Sequence, residues 1–135
     1  MTERMTVSEA RDAMNGRSTP NKYGAKKVYL DGFVFDSVRE SRHYLLLKHR
    51  QRAGEISNLT VHPKFDLSID GRPLLIRSKG FPNGRKATCK WDFGFFDNQE
   101  KRQIYHDVKG VPTEAYRLRR AVFEALYYPA KVIEV

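Results

Sequence analysis

Apolar and polar positions alternate in short runs along most of this chain and change to a helical period in two stretches. The segment KVYLDGFVFD, residues 27–36, sets apolar β-formers on both sides of Asp31-Gly32, a dipeptide suited to a two-residue hairpin turn. Ser37 to about Arg52 is rich in Leu, Lys, Arg and Glu and stops before Ala53-Gly54, which predicts a first long helix. Leu59 to Ile69 alternates around Val61, Phe65 and Leu67 and reads as a strand, with an edge or bulge at Pro63. Asp70-Gly71 then turns the chain, and Pro73 to Ile76 returns as a strand.

The next stretch, RSKGFPNGRKATCK at 77–90, carries five Lys or Arg and no acid, and predicts a mobile basic loop. Lys90 to Phe96 and Gln103 to Val108 are strands by composition, joined by the polar turn Asp97 to Arg102. Thr113 can cap a helix that runs to about Tyr127, with Ala115, Leu118, Val122 and Leu126 on one face. Pro129 ends it, and KVIEV closes the chain as a strand. Beyond the N-terminal hairpin the order is helix, three or more strands, helix, strand, a mixed α/β domain over 25–135 preceded by a basic arm at 1–24.

Composition adds a partner class. The chain has 135 residues, enough for one core, with 25 Lys and Arg against 16 Asp and Glu, a net charge of +9. That excess favours a polyanion, nucleic acid first, although charge alone fits a merely basic soluble protein as well. The lone Cys89 excludes an internal disulfide, reads as a half-buried strand residue and suits a reducing cytoplasm. No apolar run approaches the ~18 residues of a membrane span, so no membrane partner is expected.

The candidate chemistry lies in WDF and HDVKG. If the strands on either side of Asp97–Arg102 pair antiparallel with a constant index sum of 199, Asp92 faces Asp107. Their Cβ atoms then lie roughly 4.5–5.5 Å apart, near enough for both carboxylates to bind one hard cation. Lys109 follows two residues on, on the same face. The plain alternative is two solvated acids on a hairpin. Trp91, Phe93 and Phe95 are expected on the opposite face as core, and His106 projects away from Asp107. His43, His49 and His62 show no metal-ligand spacing. Glu40 has two readings of equal standing: the third helical position of a capping box that begins at Ser37, or a ligand. Arg77, Lys79, Arg85, Lys86 and Lys90 on the loop, and Arg117, Arg119 and Arg120 on the second helix, are candidate phosphate contacts.

With FDSVRE, WDF and HDVKG on helix, strand and strand, the chain resembles the PD-(D/E)xK nuclease superfamily, closest to a phage-encoded branch known only as a domain of unknown function. NKYGAKKV, AGEISNLTVHPKF and KVIEV share in the likeness, which covers about 21–135. The resemblance implies a restriction-endonuclease-like core and a metal-dependent DNA endonuclease that uses Mg²⁺ or Mn²⁺. It matches Asp92 and Asp107 to the metal-binding acids, Lys109 to the motif lysine and Glu40 to a helix glutamate that many members add. Trp91 replaces the name-giving proline, and Asp107 stands where Glu is common. Branched DNA such as a Holliday junction is the expected substrate, in phage recombination or genome processing, with a symmetric homodimer making the two cuts. A non-catalytic nucleic-acid-binding module and an RNA-processing nuclease are the alternatives.

Overall fold

The computed structural model describes residues 26–108 and 112–135; the 1–24 arm and Lys109 lie outside these. The chain divides into two compact units, Met1–Arg50 and Gln51–Val135.

In the first unit β1 (Val28–Leu30) and β2 (Phe33–Phe35) pair antiparallel, with positive φ at both Asp31 and Gly32, the signature of a type I′ turn. Helix α1 (Val38–Arg52) follows and carries the chain across the boundary between the units. Ser37 caps it by accepting the Glu40 N–H at 3.1 Å. Tyr44 ties helix to hairpin: its ring lies 5.2 Å from that of Phe35, and its hydroxyl donates to Asp31 Oδ2 at 2.9 Å. Burial, then the Asp31 carboxylate, push the Tyr44 phenol up to about 12.

The second unit runs β3 (Ile56–Val61), β4 (Lys64–Asp66), β5 (Ser68–Ile69), β6 (Arg72–Pro73), β7 (Leu75–Ser78), β8 (Phe81–Lys86), β9 (Thr88–Lys90), β10 (Phe93–Asp97), β11 (Arg102–Asp107), α2 (Glu114–Leu126) and β12 (Lys131–Glu134). The main sheet is mixed, in the order β12-β11-β10-β3. Strands β11 and β12 are parallel and need a crossover, which α2 supplies. The fold is therefore mixed α/β, and removing the small inserted strands β4 to β9 leaves helix, three strands, helix, strand.

The register of β10 against β11 runs from Phe93↔His106 to Asp97↔Arg102, the index sum of 199. Asp97 fixes it locally, because its Oδ1 accepts the N–H groups of Gln99 and Glu100, each at 2.9 Å, and closes the turn. At Gly94 a side chain would collide, since a Cβ would stand 2.7 Å from the Tyr105 ring and 2.8 Å from Thr60 Oγ1. Strand β3 bulges opposite Phe95, with Asn58 at φ 55°, and Gln51 Oε1 accepts the Leu59 N–H at 2.9 Å.

One face of this sheet packs on α2. Phe123 is fully buried there with Tyr105, Val132, Cys89 and Trp91, and truncating such a ring to Ala costs about 3–5 kcal/mol. The helix face predicted from Ala115, Leu118, Val122 and Leu126 is corrected: Leu118 is 64% exposed, and the buried stripe centres on Phe123 with Tyr116 beside it. Aromatic rings at those positions cover more apolar area than the aliphatic set, so they take the inward face. Trp91 is also corrected. It packs at 5.2 Å from the Phe123 ring, while Phe93 pairs with His106 on the other face. The alternation slips at Asp92, whose N–H donates to the carbonyl of His106, the residue already paired with Phe93.

Two further expectations change. The strand from Leu59 to Ile69 is three pieces, broken at His62-Pro63 and at Leu67. The predicted mobile basic loop is instead a hairpin, β7 against β8, because Leu75, Ile76 and Phe81 are strong β-formers and Lys79-Gly80 makes a two-residue turn between Ser78 and Phe81.

Candidate functional site

Four strands of the second unit bring polar residues to the same end of the main sheet. The pairs Val61↔Phe93, Phe93↔His106 and Asp107↔Glu134 align the C-terminal ends of β3, β11 and β12 with the start of β10. The resulting row across the sheet is His62, Asp92, Asp107 and Glu134.

Asp92 sits at its centre and is held through three atoms. Its N–H goes to the His106 carbonyl at 3.1 Å, its carbonyl accepts the His62 N–H at 3.0 Å, and its Oδ2 accepts the Val108 N–H at 2.6 Å. These bonds reach the residues on either side of Asp107, so the two acids occupy adjoining strand ends. The ladder itself ends at Phe93 and His106; the slip at Asp92 replaces direct ladder pairing of Asp92 with Asp107.

Asp107 is only 4% exposed and ends β11. It lies on the α2 face of the sheet with Tyr105, by alternation from the buried Tyr105. Tyr116 in the first turns of α2 feels it directly: burial first, then the Asp107 charge, push the Tyr116 phenol well above its ordinary value. Arg120 lies over the Tyr116 ring at 5.7 Å and donates from Nη1 to Glu134 Oε1 at 2.6 Å. Asp107 thus acts on a neutral phenol whose ring lies under Arg120, the cation that pairs with Glu134.

His62 is the residue the sequence reading missed. It follows β3 with φ 54°, a left-handed conformation unusual for a side-chain-bearing residue. One of its ring nitrogens and a carboxylate oxygen of Asp92 lie within 4.8 Å of each other. No local spacing marks it, because the pairing of β3 with β10 joins residues about 30 apart. An imidazole and a carboxylate at this spacing are donors of the kinds that bind divalent cations, oxygen suiting Mg²⁺ and the imidazole nitrogen suiting Mn²⁺.

The remaining predicted residues distribute as follows. Glu40 is buried in the first turn of α1, in the other unit, where Ser37 Oγ also lies 3.5 Å from its Oε2. His106 packs edge-on to Phe95 at 4.9 Å, on the face away from Asp107. Arg77, Lys79, Arg85 and Lys86 are all exposed on the β7–β8 hairpin, and Lys90 is exposed on β9. Arg117 is exposed and only loosely paired with Glu114 at 3.8 Å, whereas Arg120 is committed to Glu134.

A family model described as Protein of unknown function (DUF1064) matches residues 20–134. The chain belongs to this family. The DUF1064 match spans the whole main sheet, both helices and every residue of the row just described. No curated protein and no solved structure matches the chain. Among the described residues, no helix is long and apolar enough to cross a membrane.

Proposed function

We propose that this chain is a metal-dependent endodeoxyribonuclease of the PD-(D/E)xK kind. The observation that carries the reading is the meeting of Asp92 and Asp107 on adjoining strand ends, with the His62 imidazole beside Asp92. The element order of helix, three strands, helix, strand supports it, as does the net charge of +9. A divalent cation, when bound, lowers the pKa of its water and offsets charge on the phosphoryl oxygens. Asp92, Asp107 and His62 would hold it, with Glu40 and Lys109 in the roles that the resemblance gives them. The chain's own contribution is placement: two backbone bonds and one to its carboxylate fix Asp92, and Tyr116, whose phenol stays protonated at neutral pH, stands beside Asp107.

A second reading rests on the Val108 bond. A carboxylate that accepts a backbone N–H at 2.6 Å already has a structural task, closing the strand end. On that reading the chain is a nucleic-acid-binding module whose acids serve the fold.

Cleavage of plasmid and four-way-junction DNA with Mg²⁺ or Mn²⁺ separates the two. The nuclease reading expects nicking by the wild type that is lost in Asp107→Ala and in Lys109→Ala; binding without cutting, or variants that cut equally well, supports the module. A preference for structured RNA would move the activity to RNA processing. Glu40→Gln isolates the helix glutamate, because Gln still satisfies a capping box while removing the charge.

A further inference from the structure

The β7–β8 hairpin stands out from the body of its unit. Every residue of β7 is exposed, as is all of β8 except the half-buried Gly84. Leu75 is 50% and Phe81 51% exposed, so apolar side chains stand in solvent. A lone two-stranded hairpin is marginal in water, and one that bears solvent on both faces is stabilised mainly at its root. Here the root is a three-way junction: Leu67 N–H donates to the Ala87 carbonyl, Leu74 N–H to Leu67, and Ala87 N–H to Leu74, at 2.8–2.9 Å. Leu67 and Ala87 belong to the core around Phe123. The hairpin is therefore an anchored arm.

Its charge is of one sign. Arg72, Arg77, Lys79, Arg85, Lys86 and Lys90 fall between Gly71 and Trp91, and no Asp or Glu does. Opposite Arg77, β8 bulges over Pro82, Asn83 and Gly84, and Gly84 at φ +90° leaves room for Leu75, which a Cβ would approach to 2.8 Å. Such a bulge sharpens the right-handed twist of a ribbon.

We propose that this hairpin is a β-ribbon that enters the major groove of duplex DNA. The B-form major groove, about 12 Å wide and 8.5 Å deep, admits a two-stranded ribbon. The six residues of β8 extend about 20 Å. Lys79 leads at the turn, Arg77, Arg85 and Lys86 meet the phosphates on either side, and Phe81, paired with Ser78 next to the turn, supplies apolar contact for base edges. The major groove of A-form RNA is too deep and narrow for side chains to read, so the occupant is DNA. The inference rests on DNA as the partner of the proposed nuclease, and not on its cleavage chemistry.

The test measures binding of the full chain to a duplex in EDTA, where cleavage is off. Arg77, Lys79, Arg85 and Lys86 all changed to Gln should weaken binding on the order of 100-fold near physiological salt, and flatten the dependence of log affinity on log salt by about 0.9 per lost phosphate contact. A charge-matched variant, with Arg42, Arg52, Lys101 and Lys131 changed to Gln, should stay within about threefold of wild type, since those exposed residues lie off the arm. Lys79→Glu alone, at the exposed turn, should cost about tenfold and covers the case in which the quadruple variant misfolds. Methyl green, which occupies the major groove, should compete, and netropsin, a minor-groove ligand, should not. Equal losses in the two quadruple variants, unchanged binding by Lys79→Glu, competition by netropsin alone, or tighter binding to duplex RNA each overturns the proposal. Strong DNA binding without cutting in Mg²⁺ leaves the ribbon standing and removes only the nuclease reading.

Discussion

Two regions of the second unit hold nearly all of its candidate chemistry, and they are built in opposite ways. At the end of the main sheet, Asp92 and Asp107 are flanked by paired strands, so their backbones are bonded to neighbours on both sides. On the β7–β8 hairpin the basic residues stand in solvent on a ribbon joined to the body only at its root. Metal chemistry needs donor atoms held to a fraction of an ångström, which a sheet end can supply. Attraction to a phosphate backbone acts over a Debye length, about 8–10 Å, and tolerates motion. Precision and reach therefore fall to different elements.

Substitutions in each region should have effects of different kinds. On the proposed nuclease reading the largest is expected at the sheet end: Asp107→Ala should reduce nicking by on the order of 10³ while leaving duplex binding in EDTA within severalfold. In the same variant the Tyr116 phenol should titrate lower, because the charge that raised it is gone; ultraviolet titration reads this without reference to activity. Next comes the neutralised hairpin, which should lose affinity while turnover at saturating DNA persists, the reverse pattern. Its thermal stability should change by less than about 0.5 kcal/mol, as surface substitutions do. A variant that altered both properties equally would erase the distinction between the regions.

Smaller effects probe what holds the sheet end in register. Asp97→Ala removes the acceptor for two backbone N–H groups in the β10–β11 turn and should cost about 1–2 kcal/mol in a denaturant melt. An effect of similar size, confined to alkaline pH, concerns Cys89 beneath the same sheet. Burial pushes its thiol up to about 11 from 9.0, opposed by Arg119. The folded chain thus keeps a proton between pH 9 and 11 that the unfolded chain releases, so this contribution to stability is complete below pH 9 and falls as pH rises. Cys89→Ala should flatten that alkaline decline by up to about 2 kcal/mol, with Tyr44 and Tyr116 sustaining the rest.

Much of this architecture was legible in the chain. Asp31-Gly32 marked a hairpin, Thr113 a helix cap, and the polar run from Asp97 to Arg102 the turn that sets the β10–β11 register. These are local signals, decided by turn chemistry and period. The basic loop was misread because its Gly and Pro residues outweighed Leu75, Ile76 and Phe81; the glycines and proline serve the turn and bulge of a hairpin.

Turn chemistry and hydrophobic period fix the element order and the β10–β11 turn, and composition fixes the excess of positive charge. That Trp91 and Phe93 lie on opposite faces follows from long-range pairing instead, because a one-residue slip depends on where the His106 carbonyl finds its donor. Such pairing also decides that His62 joins Asp92, since strands about 30 residues apart pair by burying their shared apolar face and no nearby residue records that choice.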